Sequence, residues 1–407
     1  MVSYLLLPKI ELFNNYILIG EILSLIYLFI YLLKFLINKK ININMLLLIY
    51  ILLLFYSVLL SSFVSYLLFF RNPPYYSVFY FAHLLLCFSV YISTSYINGV
   101  KMNKIIINTY IIHSIIMLIF MVLYYIIKKP NEISILWGYD FGLRMQMLNG
   151  SYIDISNIPF FLQYEGGGSG NLFVSWSLFV FIYYIEDCKN KNKKINYFFI
   201  FYIIFLVILT FSRGGILTFF ILLLWYLLIE NKKKLSDVIK ILIFILLLSI
   251  IFTKIINVNV FTRLINTIND GKFDASSSLR LQNYKLIFQA LIGNLNYFIL
   301  GYGFEKQYWY EIVNWNFAES SVLQLLGSSG IIGLTLFLLL IMFLYYNKNK
   351  NSYYNILFKY IVFQLIINWS VTGGDFFGVV NTYIIFLLIG MASNSKYSYK
   401  KYITLKK

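Results

Sequence analysis

Apolar runs long enough to cross a lipid bilayer recur along almost the whole chain, and this pattern constrains the fold more than any motif. The 407 residues are 60% hydrophobic and only 12% charged, against roughly 25% charged for a soluble domain. A membrane-spanning helix needs about 20 apolar residues. The chain is therefore predicted to be an all-α, polytopic integral membrane protein, with residues 1–407 forming a single membrane domain.

The apolar runs predict about eleven transmembrane helices, each close to the length that a bilayer requires. The start of the chain has no basic stretch followed by a small-residue cleavage site, so it is not interpreted as a removed signal peptide. The predicted spans are 16–37, 45–70, 76–97, 104–127, 171–186, 197–212, 214–230, 238–256, 320–345, 355–372 and 376–393.

The excess of basic residues lies on one side of the predicted membrane. The net charge is +17, and it comes from lysine-rich runs in short loops between the spans. Short loops rich in Lys and Arg mark the cytoplasmic side, so the amino terminus is predicted to face out and the tail in. Membrane orientation explains the charge, and no nucleic-acid partner is expected. The runs lie at 38–40, 99–104, 187–194, 231–234 and 347–351 and after residue 395.

Two long segments are predicted on the outer side, at 128–170 and 257–318. Long loops in compact proteins tend to carry function, so we expect the functional side to be extracytoplasmic. The second loop contains residues 276–294, whose apolar positions fall mostly on one helical face. This pattern predicts an amphipathic helix on the membrane surface; the apolar positions are Leu279, Leu281, Leu286, Ile287, Ala290 and Leu291.

Cysteine and histidine residues give no indication of a metal site. Cys87 falls in a predicted span and Cys188 in a cytoplasmic loop, and neither has the spacing of a disulfide or a thiolate site. His83 and His113 lie in separate spans without neighbouring carboxylates. Interhelical hydrogen bonding is their ordinary role, and proton transfer is the alternative. No metal ligands and no cofactor are predicted.

The sequence TFSRGG at 210–215 places an arginine between two apolar spans. A charge at membrane depth costs several kcal/mol unless it has a partner or a water-filled cavity, so Arg213 is a candidate functional residue. Gly214 and Gly215 would permit a tight turn and the close approach of another group. The alternative is an arginine that anchors a helix end among lipid headgroups.

Two more charged residues are predicted near the same outer boundary. Arg280 lies near the start of the predicted surface helix, and Glu319 lies at the outer end of the ninth span. Two guanidinium groups suit an anionic lipid headgroup, and a carboxylate can accept a proton. External aromatic rings either stack on sugars or anchor the membrane interface; these are Tyr302, Trp309, Tyr310 and Trp315.

The order of these motifs resembles the O-antigen ligase and O-antigen polymerase family of bacterial surface-polysaccharide assembly. The resemblance covers roughly residues 171–334. The matching positions are SRGG at Ser212 to Gly215, the S-x-R of Ser278 and Arg280, the G-x-G of Gly301 and Gly303, the stretch from Glu319 to Leu334, and Asn171 at the entrance to the fifth span.

The resemblance implies a metal-independent glycosyltransferase of the bacterial cytoplasmic membrane, acting on undecaprenyl-diphosphate-linked glycans at the outer face. It implies that Arg213 and Arg280 meet the donor diphosphate. Family ligases have His-Asn where this chain has Ala318-Glu319, and this departure favours the polymerase branch. The acceptor hydroxyl needs a carboxylate or similar base, and Glu319 is favoured over Glu305, Glu311, Glu165 and Asp375. The expected partners are the lipid-linked donor and acceptor, membrane lipid, a flippase and a chain-length regulator. Substrate contacts are predicted for Ser212, Gly214, Gly215, Ser278, Tyr302, Gly303 and Asn171.

Three alternatives remain open from the sequence. A ligase would use the same donor and transfer the glycan to a terminal acceptor. A polysaccharide flippase or other transporter would also have many helices and internal cations, but transporters usually show internal repeats, and the two halves of this chain have no such symmetry. A non-catalytic scaffold is the third alternative.

Overall fold

A computed structural model describes residues 9–12, 15–18, 22–23, 25–30, 33, 44–96, 99–127, 169–209, 213–230, 243, 275–313, 320–369 and 379–393. Within these residues the protein is mainly α-helical. The predicted loop at 128–170 and the predicted span at 238–256 lie almost wholly outside the described residues.

The helices follow the order of the predicted spans, with additional helices in the predicted second external loop. A π-helical segment, Phe55–Leu60, joins the first two helices into one rod, and a second, Tyr226–Glu230, continues the helix Arg213–Trp225. The helices are α1 (Met45–Leu54), α2 (Ser61–Phe69), α3 (Tyr75–Tyr96), α4 (Gly99–Ile127), α5 (Ser169–Asn190), α6 (Tyr197–Leu209), α7 (Arg213–Trp225), α8 (Ala275–Gly293), α9 (Leu295–Leu300), α10 (Lys306–Val313), α11 (Ser321–Asn347), α12 (Ser352–Trp369) and α13 (Val379–Ser393).

Near the amino terminus the chain forms a short hairpin, which the all-α prediction did not include. β1 (Lys9–Leu12) pairs antiparallel with β2 (Asn15–Leu18), with Leu12 opposite Asn15. Residues 16–18, predicted as the start of the first span, are therefore extended. The local sequence suits a hairpin because isoleucine and tyrosine favour strands and asparagine favours tight turns.

Two described helices are long and apolar enough to cross a membrane. One is the rod Met45–Phe69, of 25 residues, and the other is α11, of 27 residues. The described residues therefore support a membrane protein, while the number of about eleven spans remains a prediction. Shorter apolar stretches of helix lie at Leu86–Ser95, Tyr197–Ile208, Thr218–Leu228 and Asn381–Ser393.

Helix α12 lies at the centre of the described bundle, where it packs against α5, α7, α11 and α13. Helix α13 also packs along α3. Gly390 permits this close approach, because a Cβ there would overlap the hydroxyl of Thr94 and lie 2.6 Å from the carbonyl oxygen of Tyr91. Small residues at helix contacts let two backbones come close, as is common in membrane proteins.

Buried polar side chains link α12 to its neighbours. Near one end of the bundle the Lys359 ammonium group lies 2.6 Å from the Glu186 carboxylate of α5. Farther along α12, the Gln364 amide donates to Ser175 at 2.6 Å and to Asn381 of α13 at 3.0 Å. In an apolar bundle such contacts average about 0.6 kcal/mol each. They fix which faces of these helices meet.

Candidate functional site

The described part of the predicted second external loop folds onto the amino-terminal half of α11. Helices α8, α9 and α10 follow one another along the chain, and α8 and α9 both pack against α11. A helix does occupy the range predicted at 276–294, as α8; its amphipathic character and its place on the membrane surface remain predictions. Residues 275–313 are called the cap segment below.

A glycine kink in α11 receives the end of α9. Gly330 has φ 60° and ψ −160°, a conformation essentially limited to glycine. A Cβ at this position would overlap the carbonyl group of Ile299 and lie 2.6 Å from the nitrogen of Gly301. The backbones of α9 and α11 therefore touch at the kink, and this contact requires that residue 330 has no side chain.

The residues after α9 bind backbone carbonyl groups of α11 just before the kink. The Tyr302 N–H donates to the Gly327 carbonyl at 2.8 Å, and the Gly303 N–H donates to the Ser328 carbonyl at 3.0 Å. Gly301 and Gly303 have φ of 79° and 93°, a region that favours glycine. The G-x-G motif thus has a structural explanation, since it lets the chain dock on α11.

Serine hydroxyl groups of α2 hold the other side of the same segment. Ser65 donates to the Tyr302 carbonyl at 3.0 Å, and the Phe304 N–H donates to the Ser62 hydroxyl at 2.7 Å. Both serines are buried. Residues 301–305 are therefore fixed between α2 and α11, which belong to the two helices long enough to cross a membrane.

Glu305, the next residue, is a buried carboxylate that caps α3. It is 5% exposed and accepts hydrogen bonds from the Tyr76 N–H at 3.2 Å, the Ser77 N–H at 3.0 Å and the Ser77 hydroxyl at 3.1 Å. A carboxylate at this place satisfies free N–H groups and is favoured by the helix dipole. Burial nevertheless raises the pKa of Glu305 above its ordinary value, against the opposing effect of the hydrogen bonds from Ser77 and Tyr76.

Arg71, which the sequence analysis did not single out, connects the end of α2 to the cap segment. Its Nη1 donates to the Tyr302 carbonyl at 3.3 Å, its Nη2 donates to the Tyr297 hydroxyl at 2.9 Å, and its Nε lies 3.3 Å from the Glu311 carboxylate. The side chain is only 9% exposed, and the guanidinium lies 4.9 Å from the ring centroid of Tyr308. The one sequence signal was an arginine directly after an apolar run, which ordinary helix-end anchors share.

The rings of Tyr302 and Trp309, considered above as sugar-stacking candidates, lie inside the protein. They are 0% and 1% exposed, and they meet edge to face with centroids 4.7 Å apart. Neither ring offers a face to a sugar in this structure, because both are covered by the small apolar cluster that joins the cap segment to α11. The other members of this cluster are Ile287, Leu291 and Leu323.

The three predicted catalytic residues are described to different extents. Arg213 is the first residue of α7 and Arg280 lies in α8; the backbone of each is described, and the side chain is not. Glu319 lies outside the described residues. Whether the three side chains meet therefore stays a prediction. Helix periodicity does place Arg280 on the face of α8 that carries Ile287 and Leu291.

The other predicted contact residues divide in the same way. Tyr302 and Gly303 are fully described and belong to the docked segment 301–305. Ser212 and Trp315 lie outside the described residues, and Tyr310 is exposed on α10. The backbone alone is described for Gly214 and Gly215 at the start of α7, Ser278 at the start of α8 and Asn171 at the start of α5.

The histidines do not form a described metal centre. His113 is buried in α4, with its ring centroid 5.8 Å from that of Phe173 on α5. The side chain of His83 lies outside the described part of the chain. Among the described residues, no three His, Cys, Asp or Glu side chains come together.

Comparison with known protein families gives a match, and the matched residues include the cap segment. Residues 198–338 match the family model described as O-antigen ligase. This match is consistent with the O-antigen polymerase and ligase family. The matched range runs from α6 into α11 and includes Arg213, Arg280 and Glu319. It supports a membrane protein with polymerase-type or ligase-type function in general and does not distinguish the two. No curated protein and no solved structure matches the chain.

Proposed function

We propose that this protein is a multi-pass glycosyltransferase of the bacterial cytoplasmic membrane, which polymerises undecaprenyl-diphosphate-linked repeat units at the outer face. The O-antigen ligase match over residues 198–338 carries the proposal, because it covers all three residues assigned to the chemistry. The order of the SRGG, S-x-R and G-x-G motifs within this range agrees with the match.

The proposed reaction transfers a glycan from its lipid diphosphate to a sugar hydroxyl of the acceptor. The acceptor oxygen forms a bond to the anomeric carbon of the donor, and the bond from that carbon to the phosphate oxygen breaks. Undecaprenyl diphosphate leaves with the bonding electrons, and the hydroxyl proton passes to Glu319. Arg213 and Arg280 stabilise the leaving diphosphate, since planar guanidinium groups bind phosphate oxygens in pairs.

The positions of the two arginines on their helices favour this assignment. Arg213 begins α7, and the amino-terminal end of a helix attracts anions through its free N–H groups and its dipole. Arg280 shares the face of α8 whose Ile287 and Leu291 pack with Leu323 of α11. Glu319 comes shortly before the start of α11 in the sequence. The contact between α8 and α11 thus supports a common site for Arg280 and Glu319.

The acceptor separates polymerase from ligase, since the donor and leaving group are the same. In the proposed reaction the acceptor is a second lipid-linked repeat unit, because Ala318 and Glu319 stand where the resembling ligases have a histidine. Transfer to a terminal acceptor is the second candidate. The match to the family model does not distinguish the two candidates.

Purified full-length protein in lipid nanodiscs, supplied with a lipid-linked repeat unit, tests the reaction. Wild-type protein is expected to build a ladder of glycan lengths on the lipid. Arg213→Ala and Arg280→Ala are each expected to lower the rate about 30- to 1000-fold, equivalent to about 2–4 kcal/mol. Lysine is expected to rescue either position poorly, because it lacks the planar fork. The matched control is Lys350→Ala, an exposed basic residue on the other predicted side of the membrane.

The outcomes separate the candidates. Full activity of either alanine variant would overturn the diphosphate assignment. Transfer to a terminal acceptor without chain growth would favour the ligase, and movement of the lipid across the bilayer without elongation would favour a transporter. In cells, deletion of the gene is expected to leave single repeat units on the final acceptor; accumulated polymer on the lipid carrier would instead indicate a ligase.

A further inference from the structure

An apolar surface runs along α8 and α9 on the side that does not pack against α11. Ile292 is 80% exposed and Leu295 is 70% exposed. On α8 the residues recur at intervals of seven and four, so they form one stripe. Scattered exposed apolar residues are ordinary, whereas a continuous apolar surface marks an interaction site. The surface consists of Leu281, Phe288, Ile292, Leu295, Phe298 and Ile299.

This stripe differs from the face that the sequence predicted to meet the membrane. Of the predicted positions, Ile287 and Leu291 are buried against Tyr302 and Trp309. Leu281 alone of the exposed stripe belonged to the predicted set. Helix α8 therefore has two apolar faces, of which one joins it to the protein and the other is open among the described residues.

Contacts at its two ends fix the depth of α9 beside the rod Met45–Phe69. The Tyr297 hydroxyl accepts from Arg71, just beyond the end of the rod. At the other end of α9, the Leu300 carbonyl lies 3.4 Å from the hydroxyl of Tyr56, inside the rod. The helical distance from Tyr56 to Arg71 is about 22 Å. Helix α9 therefore lies alongside the last turns of the rod and does not extend beyond it.

The same turns of the rod carry exposed apolar side chains. Leu67 is 66% exposed, and Phe70, at its end, is 95% exposed. On α11 the exposed apolar residues begin at Ile331, directly after the kink that contacts Ile299. A bilayer that covers Ile331 and Leu67 must also cover α9, because α9 contacts the kink next to Ile331 at one end and reaches Arg71, just beyond Leu67, toward the other. The open stripe thus continues the surface of the two membrane-long helices.

We propose that α9 and the carboxyl-terminal half of α8 are immersed in the acyl chains of the outer leaflet. Both pieces are helical, and the Asn294 side chain between them accepts the Asn296 N–H at 2.9 Å, so backbone groups are satisfied there. Exposed Lys285 lies on the same stripe between Leu281 and Phe288. A lysine in this position extends its ammonium group to the lipid phosphates.

The immersion of α9 has a consequence that rests on the proposed function. Along α8, Arg280 is farther from α9 than Lys285 is. An outer-leaflet position for the cap segment therefore keeps Arg280 near the level of the lipid headgroups. A lipid diphosphate is presented at that level. The immersion itself does not depend on which glycan is transferred or on whether transfer occurs.

Depth measurements on the full-length protein in nanodiscs test the immersion without reference to activity. Single cysteines at Phe288, Ile292 and Leu295 carry an environment-sensitive fluorophore, and quenching is compared between brominated lipids and aqueous iodide. Gln282, exposed on another face of α8, is the aqueous control, and Met342 of α11 is the lipid control. The native Cys87 and Cys188 are buried, so unmodified protein gives the labelling background.

We expect the three stripe positions to behave like Met342, with several-fold more quenching by brominated lipid than Gln282 shows. Equal iodide quenching at Ile292, Leu295 and Gln282 would overturn the proposal. Shielding from both quenchers, together with crosslinks between copies, would also overturn it in favour of self-association. Because a cysteine at one site can disturb packing, Ile292→Asp is a second variant. It is expected to increase protease cleavage of the cap segment, and Gln282→Asp is expected to leave cleavage unchanged.

Discussion

Two buried carboxylates, Glu186 in the helix bundle and Glu305 in the cap segment, are stabilised in different ways. Glu186 is 6% exposed, and its oxygens lie 2.6 Å from the Lys359 ammonium and 3.1 Å from the Asn355 amide. Glu305 is 5% exposed and accepts hydrogen bonds from backbone and hydroxyl groups at the start of α3. The first carboxylate joins two helices through side chains, and the second joins a loop to a helix end.

This difference extends to the regions around the two carboxylates. In the bundle, α12 meets α5 and α13 through side chains, which adopt new rotamers when a neighbour changes. The cap segment meets α11 and α2 through its backbone, at Gly330 and at residues 301–305. A backbone contact has little freedom to adjust. The cap segment is therefore the more rigidly placed region, and rigid support is what a precise site requires.

Replacement of Gly330 by alanine is the strongest test of that rigidity. Alanine is strained at φ 60° and ψ −160°, and its Cβ meets the backbone of Ile299 and Gly301. We expect a loss of about 3 kcal/mol or more in the stability of the docked cap segment. Hydrogen exchange of the full-length protein measures this, with amides of residues 295–313 exchanging at least about 100-fold faster and those of α12 unchanged.

Gly293→Ala is the matched control, because a Cβ there meets nothing within 4 Å. We expect its effect to stay within about 0.5 kcal/mol. If Gly330→Ala exchanges no faster than this control, the kink does not hold the cap segment. If α12 also loses protection, the two regions unfold as one unit and the comparison fails.

The bundle is tested by Lys359→Met, which leaves Glu186 with Asn355 and the more distant Lys189, 3.9 Å away. Breaking a buried pair on one side costs about 3–5 kcal/mol, and we expect the lower end because Lys189 remains. The double variant Glu186→Gln with Lys359→Met is expected to recover most of the loss. Thermal unfolding in detergent measures both. Equal losses in the single and double variants would contradict a charge-pair explanation.

Much of the cap segment was readable from its sequence. The run 276–294 predicted a helix, and α8 occupies Ala275–Gly293. The G-x-G of Gly301 and Gly303 was recognised as a motif of the family resemblance, and the structure adds that both glycines have positive φ. The motif order also indicated the family that matches residues 198–338. These features were predictable because each depends on a short stretch of sequence.

The residues that contact the cap segment could not be predicted from the sequence in the same way. Arg71 contacts Tyr297 and Tyr302, more than 200 residues later in the chain. The face of α8 that packs inward was misjudged, because periodicity detects apolar positions but not whether protein or lipid covers them. Buried Tyr302 illustrates the same limit. Its aromatic ring suited a sugar, and only tertiary packing reveals that Trp309 covers it.

The charged side chain of Arg71 holds the cap segment to the end of α2. The variants Arg71→Lys and Arg71→Met test how much this contact stabilises the cap segment. Lysine keeps the charge, but its single ammonium nitrogen cannot replace the three separate guanidinium nitrogens that contact Tyr302, Tyr297 and Glu311. We expect a loss of about 1–2 kcal/mol for lysine and slightly more for methionine. Protease sensitivity of residues 295–313 measures the loss. If lysine retains full protection, the charge alone is sufficient and the directed hydrogen bonds are dispensable.

Glu305→Gln gives the smallest effect, which appears as a pH dependence of stability. Burial raises the folded-state pKa of Glu305 above its ordinary value of 4.5. A raised pKa means that the folded protein holds the proton more tightly than the unfolded chain. The resulting stability is complete below about pH 4.5 and is lost as the pH rises through the folded-state pKa. Glutamine has no proton to lose, so its variant lacks this contribution.

The measurement is the difference in Tm between the wild type and the variant from pH 4 upward, which cancels the titration of all other groups. We expect this difference to move in favour of Glu305→Gln as the pH rises. Glu305→Ala also lacks the pH-dependent contribution of the carboxyl group. It is expected to be less stable than Glu305→Gln by about 1 kcal/mol at every pH, because the N–H groups of Tyr76 and Ser77 lose their acceptor. A pH-independent difference between wild type and Glu305→Gln would mean that the helix cap compensates fully for burial.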